Sequence, residues 1–356
     1  MKINHNNYFN LAFNLARINL GKTGSNPSVG CVVVKEDSVI SSGYTSINGR
    51  PHAEVNALNK KINFKGSNIY VTMEPCTHYG LTPPCVKTIK LKGIKKVFYN
   101  FDDIDKRTAK KSKNYFKKNN IKVFKRLNKN FKNFYESYFI NKKNDFPLID
   151  AKIALSKDNY SINKKKKWIT NTCSRDRAHL IRSEYDTIIS TSTSINKDNS
   201  LLNCRLNGFD KKKPHVIIID LKLKIKKNLN IFKSLNNRKI TIITSNNDSN
   251  KISYFKKRGV KIIKIKSLEK KKDFIFLFKL LNKRFHKRIL IESGLIFLNK
   301  LILNKLIFNL YIFMSSNKLG KNGSNNGAVN FIKKFKIKKK INVNLNGDIL
   351  YKVKIK

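Results

Sequence analysis

Two short segments limit how this chain can fold, because together they supply the ligands of one metal site. The first is Pro51-His52-Ala53-Glu54, and the second runs from Pro75-Cys76 to Cys85. One imidazole and two thiolates occupy three positions of a tetrahedral zinc site and leave the fourth free for water. The fold must therefore bring these three ligands to one point.

Glu54 follows the histidine by two residues, close to the metal without having to bind it. A carboxylate there can take a proton from water at the zinc and pass it to a leaving amine, as in zinc-dependent nucleobase deaminases. A lone His-x-Glu would say little, because a satisfied histidine is commoner than a ligand. The β-like run at residues 69–73, which leads into Glu74-Pro75-Cys76, makes the combination specific. We predict a zinc-dependent deaminase site.

The length and composition indicate two ordinary globular domains, since the chain has 356 residues and is 40% apolar. It contains no apolar run long enough to span a membrane, and its N-terminus lacks the apolar stretch of a secretory signal. The five cysteines are odd in number and scattered, which argues against a disulfide framework. Metal-binding thiolates need reducing conditions, so we expect a cytoplasmic protein.

The net charge of +54 would ordinarily suggest a nucleic-acid partner. The chain has 64 lysines but 12 arginines, whereas a phosphate-reading surface would be expected to use more arginine. The lysines run from end to end beside abundant Asn, Ile, Phe and Tyr, which share AT-rich codons. We interpret the charge as compositional bias and expect neither a specific nucleic-acid partner nor a membrane partner. The sequence leaves a homo-oligomer open.

The first hundred residues alternate strand and helix patterns, which predicts an α/β fold built as a three-layer sandwich. A helix is predicted at 8–17, strands at 29–35 and 38–44, and a further strand at 94–99. Pro51 and the Pro83-Pro84 pair each precede a predicted helix. Both ligand segments thus lie at helix N-termini, where the helix dipole favours thiolate.

A polar stretch at 141–145 suggests a boundary between domain 1–144 and domain 145–356. The second domain again alternates strands and helices, and no Gly-x-Gly-x-x-Gly follows a strand, so a Rossmann domain is not expected. The tail from 331 to 356 is predicted as strands because its apolar residues alternate. The other strands are predicted at 151–155, 187–190, 216–220, 240–244, 260–265, 289–292 and 309–314.

These motifs resemble the bifunctional riboflavin-biosynthesis deaminase/reductase family, whose halves are similar to cytidine deaminases and to dihydrofolate reductase. In the first half the resemblance rests on Thr23-Gly24-Ser25-Asn26-Pro27-Ser28-Val29-Gly30, on the His-Ala-Glu segment, and on the loop inserted between Cys76 and Cys85. It implies that His52, Cys76 and Cys85 bind Zn²⁺ and that Glu54 moves protons. It also implies that Asn26 and His78 contact a small-molecule pyrimidine ribotide.

Two segments depart from the family pattern. The family usually has a basic residue where this chain has Leu81, which weakens a phosphate contact. It commonly has Asp-Pro-Asn-Pro followed by glycines where this chain has residues 101–107. Neither segment touches the metal, so we expect these differences to affect substrate affinity more than turnover.

The second half carries ordered matches to the reductase half of the family. They are Lys152-Ile153-Ala154-Leu155-Ser156, Trp168-Ile169-Thr170, the segment 198–205 and Leu290-Ile291-Glu292-Ser293-Gly294. The resemblance implies that NADPH lies against Leu155, Trp168, Ser194, Asp198 and Gly294. It implies that the substrate, including its ribose phosphate, contacts Lys166, Arg182, Leu202, Arg205 and Glu292.

The implied chemistry is hydrolytic deamination of 2,5-diamino-6-(5-phosphoribosylamino)pyrimidin-4(3H)-one, followed by NADPH-dependent reduction of the ribosyl group to ribityl. One alternative is a nucleic-acid deaminase that docks through a basic domain; the long inserted loop and the strand-rich second half disfavour it. Another is a non-catalytic basic binding protein derived from a decayed enzyme. The intact set of His52, Glu54, Cys76 and Cys85 disfavours that one.

Plainer interpretations of single residues also stay open. Trp168 could be a core residue, Arg182 and Arg205 could be solvated surface charges, and Glu292 could be a cap. Two further sets have no assigned function: the histidines His5, His179, His215 and His286, and the cysteines Cys31, Cys173 and Cys204, which we interpret as structural thiols.

Overall fold

The structure is a computed structural model that describes residues 4–128, 131, 133–209, 213–325 and 340–356. The contacts within the chain divide it into two compact units, Met1–Phe146 and Pro147–Lys356. The boundary proposed from the sequence falls two residues before this division. Within the described ranges, no helix is long and apolar enough to cross a membrane.

The first unit is built on a five-stranded sheet. Its strands are β1 (Gly30–Lys35), β2 (Ser38–Tyr44), β3 (Asn68–Met73), β4 (Lys96–Phe101) and β5 (Lys122–Lys125). They lie in the order β2-β1-β3-β4-β5. β1 is antiparallel to both of its neighbours, and β3, β4 and β5 are parallel. The helices are α1 (His5–Ile18), α2 (Ala53–Leu58), α3 (Cys85–Leu91), α4 (Ser112–Lys118) and α5 (Glu136–Asn144).

Both faces of this sheet are buried, which confirms the three-layer sandwich. Along β1, Val33 packs into one core cluster while Val32 and Val34 pack into the other, as the two-residue period of a strand requires. Helix α1 lies directly against the sheet, because a Cβ on Gly30 would come within 1.8 Å of the Ala12 carbonyl oxygen. Only glycine fits at that contact.

The second unit contains an eight-stranded sheet and a two-stranded ribbon, β7 (Ile162–Asn163) with β14 (Gly323–Ser324). The sheet strands are β6 (Leu148–Leu155), β8 (Thr187–Thr191), β9 (His215–Ile219), β10 (Ile240–Thr244), β11 (Lys261–Lys264), β12 (Arg288–Ile291), β13 (Asn309–Met314) and β15 (Ile349–Lys354). Their order is β11-β10-β9-β8-β12-β6-β13-β15, with only β15 antiparallel to its neighbour. The helices are α6 (Thr172–Arg182), α7 (Ser192–Asp198), α8 (Ser249–Lys257), α9 (Lys271–Lys283) and α10 (Leu295–Leu303).

The seven strands predicted for residues 151–314 are all present, and the largest error is at the start of β6. That strand begins three residues earlier than predicted. The prediction started too late because Asp150, a polar residue, lies inside the strand. Its buried carboxylate accepts hydrogen bonds from the Asn309 backbone and side-chain nitrogens and from the Tyr185 hydroxyl. Part of the predicted strand-rich tail, residues 331–339, lies outside the described residues.

The carboxyl ends of parallel strands β6, β8 and β12 meet at one edge of the sheet, where ligands of open α/β sheets commonly bind. Helix α7 begins directly after β8. The turn Glu292-Ser293-Gly294 connects β12 to α10.

Candidate functional site

The structure brings the three predicted metal ligands of the first unit together. His52 is the N-cap of α2, Cys85 is the first residue of α3, and Cys76 follows β3. The His52 Nδ1 lies 3.3 Å from the Cys85 Sγ and 3.6 Å from the Cys76 Sγ. A tetrahedral zinc with ordinary Zn–N and Zn–S bond lengths separates such atoms by about 3.5 Å. The three donor atoms all lie within 4.8 Å of one another, so they fit a zinc ion.

The two thiols differ in their surroundings. The Cys85 backbone N–H donates to the Cys76 Sγ at 3.3 Å. Hydrogen bonds from Cys85 and His52 lower the pKa of the Cys76 thiol to about 4, despite its burial. The pKa of Cys85 is raised by its hydrogen bond to Cys76 and by burial. The site thus favours thiolate at Cys76 even without a metal ion.

Glu54 lies in the first turn of α2 and is buried beside the ligands. Burial raises the pKa of its carboxyl to about 7. A carboxyl with such a pKa can both accept and release a proton near neutral pH. Helix α2 packs closely against β2. A Cβ on Gly43 of β2 would lie only 2.5 Å from the Ala53 carbonyl oxygen.

The two predicted substrate contacts of this unit are each fixed by one hydrogen bond. The Asn26 Nδ2 donates to the Gly49 carbonyl oxygen at 2.9 Å, which leaves its own Oδ1 for another donor. The His78 Nδ1 lies 2.9 Å from the Thr108 Oγ1, so the other ring nitrogen, Nε2, can contact a ligand. Both residues are partly exposed, as ligand contacts require.

The two segments that depart from the family pattern differ in how they are held. Leu81 is 88% exposed at the tip of the inserted loop. The segment after β4 is anchored instead by Glu74, whose buried carboxylate accepts from the Asp103, Lys110 and Ser112 backbone nitrogens and from the Ser112 hydroxyl. The same segment supplies Thr108, the partner of His78.

In the second unit, Arg182 and Glu292 are paired with each other. The Arg182 Nε lies 2.5 Å from Glu292 Oε1, and its Nη2 donates to Oε2 at 2.9 Å. The Lys152 Nζ also lies 2.9 Å from Glu292 Oε2. These two cations lower the pKa of Glu292 well below its usual range even though the carboxyl is buried. Arg182 is thus not a solvated surface charge.

Arg205 lies near this pair and is exposed. Its Nη1 donates to the Asn203 Oδ1 at 3.1 Å, while the Asn203 carbonyl oxygen accepts from Arg182 at 3.1 Å. Partial burial and the charge of Arg182 lower the pKa of Arg205. Leu202 has a buried side chain and a left-handed backbone, so the part it can offer to a ligand is its backbone.

The predicted cofactor contacts are partly brought together. The Gly294 N–H donates to the Ser194 Oγ at 3.1 Å, which joins the start of α10 to that of α7. Leu155 ends β6 with its side chain buried, and Asp198 is exposed at the end of α7, within range of the charges of Lys152 and Lys167.

Trp168 and Lys166 lie on the segment between β7 and α6, and both are exposed. The tryptophan is 51% exposed, and the charged groups of Lys167 and Arg175 lie 5.3 and 5.0 Å from the centre of its ring. The interpretation of Trp168 as a core residue is therefore wrong. About half of its surface stays accessible to a ligand.

Two neighbours of these sites are not among the predicted site residues. Lys152 binds Glu292, and a lysine inside an apolar strand is a signal that could have indicated it. The His179 Nδ1 lies 2.7 Å from the Asn203 carbonyl oxygen beside Arg182. Cys31 and Cys204 are buried, whereas Cys173 is exposed and is not a core thiol. Nothing in the local sequence around Glu74 or Thr108 indicated their contacts.

Comparisons with known proteins match both units. Residues 2–101 match the family model of the cytidine and deoxycytidylate deaminase zinc-binding region, and residues 147–344 match that of the RibD C-terminal domain. The chain is 31% identical to the riboflavin biosynthesis protein RibD of Actinobacillus pleuropneumoniae, over 81% of this chain and 77% of that protein. It is 29% identical to the RibD protein of Aquifex aeolicus, over 97% and 96%. The structure of Acinetobacter baumannii RibD has the same fold, with a TM-score of 0.81 at 24% identity over 98% of both chains.

Proposed function

Because this chain belongs to the RibD family of bifunctional riboflavin-biosynthesis deaminase/reductases, we propose which of its residues carry the two reactions on a pyrimidine ribotide. The enzyme is a zinc-dependent deaminase in its first unit and an NADPH-dependent reductase in its second. The observation that carries the assignment is the convergence of His52, Cys76 and Cys85 beside the buried Glu54. Five free cysteines suit a reducing cytoplasm, where we place the protein.

In the deaminase unit, His52, Cys76 and Cys85 would hold the metal. Zinc bound there supplies Lewis-acid activation of water. Glu54 takes the proton released and delivers it to the leaving amine, for which a pKa of about 7 is well matched. Asn26, through its free Oδ1, and His78, through its Nε2, orient the pyrimidine so that its amino-bearing carbon faces the activated water.

In the reductase unit, the carboxyl edge of β6, β8 and β12 holds the cofactor and the sugar. Bound NADPH supplies a hydride for the ribose C1′. Ser194, Gly294, Asp198, Leu155 and Trp168 would hold the cofactor. Arg205, the Leu202 backbone and Lys166 would hold the substrate, with Arg182 and Glu292 fixing the position of the 203–205 segment.

The direct test is to incubate the purified chain with the diaminopyrimidinone ribotide and NADPH and to follow ammonia and NADPH together. We expect one ammonia released and one NADPH oxidised per ribotide. A zinc-loaded protein that releases no ammonia would refute the deaminase assignment, and one that leaves NADPH unoxidised with the deaminated ribotide would refute the reductase assignment.

A further inference from the structure

The deaminase substrate carries a phosphate, so its site needs a cation that Leu81 does not supply. Among the described residues, Arg107, Lys87 and Arg50 are the cationic residues that hydrogen-bond the inserted loop, residues 77–84. The Arg107 fork is filled by Asp105, with Nε–Oδ1 at 2.9 Å and Nη2–Oδ2 at 2.6 Å. Lys87 hydrogen-bonds the Tyr79 hydroxyl, and its Nζ lies 4.6 Å from the centre of that ring. The Arg107 guanidinium is thus neutralised by a carboxylate, and Lys87 is an exposed lysine that lies over the Tyr79 ring.

The third cation is Arg50, which is partly buried and differently placed. Its Nη1 donates to the Thr82 Oγ1 at 2.9 Å, so the guanidinium lies on the inserted loop with a neutral partner. In the described part of the chain, no carboxylate lies within ion-pair distance of Arg50. A partly buried guanidinium with N–H groups left over is suited to bind phosphate through two parallel hydrogen bonds.

Arg50 and His78 face the same small space. The Arg50 Nη2 is 3.4 Å, and the His78 Nε2 is 3.9 Å, from the point where a Cβ of Gly80 would lie. The absence of a side chain at Gly80 therefore leaves room for a ligand group between a cation and an imidazole. Arg50 is two residues from the metal ligand His52, and it shares this space with His78, a predicted substrate contact.

The Arg50 backbone is fixed on both sides. The preceding Gly49 carbonyl oxygen accepts a hydrogen bond from the Asn26 side chain, and the following Pro51 has a restricted backbone. The Thr82 hydroxyl holds the guanidinium itself. A cation fixed at both backbone and head group loses little freedom when it binds an anion.

We propose that Arg50 binds the phosphate of the ribotide in the deaminase site, over Gly80, in place of a basic residue at position 81. This inference rests on the proposed deaminase function. It also explains how the chain keeps a phosphate contact although Leu81 is exposed and apolar.

The test compares deamination of the phosphorylated ribotide with that of its dephosphorylated riboside by wild-type protein and by Arg50→Gln. We expect Arg50→Gln to lose roughly 10- to 100-fold in kcat/KM for the ribotide, the usual effect of a hydrogen bond to a charged group, and to keep its activity on the riboside. Arg50→Lys should fall between them, because it keeps the charge and loses the planar fork.

Arg107→Gln is the matched control, since it removes one arginine near the same loop whose fork faces Asp105; its preference for ribotide over riboside should equal that of wild type. Adding Leu81→Arg to Arg50→Gln should restore part of the lost preference, because position 81 lies on the same exposed loop. An Arg50→Gln protein with bound zinc that loses equally on both substrates, or on neither, would overturn the proposal. Wild-type protein that deaminates neither substrate would overturn the proposed function and this inference with it.

Discussion

Arg182 and Glu292, 110 residues apart in the chain, join the end of α6 to the end of β12 through a two-pronged ion pair. Lys152, on the neighbouring strand β6, binds the same carboxylate. Because the pair is buried, each partner satisfies a charge that would otherwise be costly to remove from water. The pair therefore links the stability of the second unit to the geometry of its carboxyl edge.

Arg182→Lys should destabilise the second unit, because a lysine cannot make both hydrogen bonds to Glu292. We expect its free energy of unfolding to fall by about 1–3 kcal/mol. Trp168, the only tryptophan, lies in this unit, so its fluorescence during urea unfolding reports the change. Arg258→Lys, at an exposed arginine after α8, is the control and should stay within about 0.5 kcal/mol. Equal stability of Arg182→Lys and wild type would contradict the structural importance of the pair.

Arg205→Lys should behave differently, because the Arg205 guanidinium has no carboxylate partner among the described residues. We expect wild-type stability and a loss of about 1–3 kcal/mol in transition-state stabilisation, measured as kcat/KM for NADPH oxidation with the deaminated ribotide. Removing charge is not the cause, since the variant keeps its cation. Reduction kinetics like those of wild type would show that Arg205 is only a solvated surface charge.

Removing the metal should abolish one activity and spare the other. A protein treated with a strong chelator should lose its zinc, expected at one ion per chain, and with it deamination, because His52, Cys76 and Cys85 are the one described cluster of metal-binding side chains. Oxidation of NADPH with the deaminated ribotide should continue, and added zinc should restore ammonia release. Deamination by a fully metal-free sample would disprove the zinc assignment.

His215 and His286 should make the second unit sensitive to acid. Their rings meet edge to face, with centroids 4.6 Å apart, and they hydrogen-bond Thr241 and Thr187. Burial, the neighbouring ring and nearby cations lower the pKa of His215 to about 3, and burial and nearby cations that of His286 to about 4. The unfolded chain, with histidine pKa values near 6.5, therefore binds more protons below neutrality, and stability falls as the pH drops.

Each histidine should lower the free energy of unfolding by about 1–2 kcal/mol between pH 7 and pH 5. The variant His215→Gln with His286→Gln removes both titrating rings and should show a smaller loss over that range, by Trp168 fluorescence in urea. Asp186, whose pKa burial raises to about 7, and His179, whose pKa burial lowers to about 4, also contribute to the pH dependence in this window. They do so in both proteins, so the difference between the two pH dependences reports His215 and His286. If the free energy of unfolding depended on pH equally in the two proteins, the two histidines would not bind protons on unfolding, and the prediction would be wrong.

Much of this architecture could be predicted because local patterns carry it. The continuous apolar run of β1 and the proline before α2 indicated their elements directly. The zinc ligands were predictable because their chemistry restricts the residue types. The start of β6 was missed because Asp150 looks like a loop residue until Asn309 and Tyr185, far along the chain, satisfy its carboxylate.

Contacts that depend on distant residues could not be predicted from local pattern. Arg182 was predicted to touch a phosphate, and the chain alone gave no sign that Glu292 fills its fork. Thr108 reaches His78 in the inserted loop because Glu74 binds the segment after β4 that carries it. Arg50 carried one usable signal, since it is an arginine in a lysine-rich chain, the same argument that drew attention to Arg182 and Arg205.

The most direct test of two separate reactions in one chain is the Glu54→Gln variant, assayed with each substrate in turn. It removes the proton shuttle without removing a zinc ligand, so bound zinc should be unchanged. We predict that ammonia release from the diaminopyrimidinone ribotide falls by roughly 100-fold or more, while NADPH oxidation with the deaminated ribotide stays at the wild-type rate. Equal loss of both activities, or retention of deamination, would contradict the assignment of Glu54 and of two independent sites.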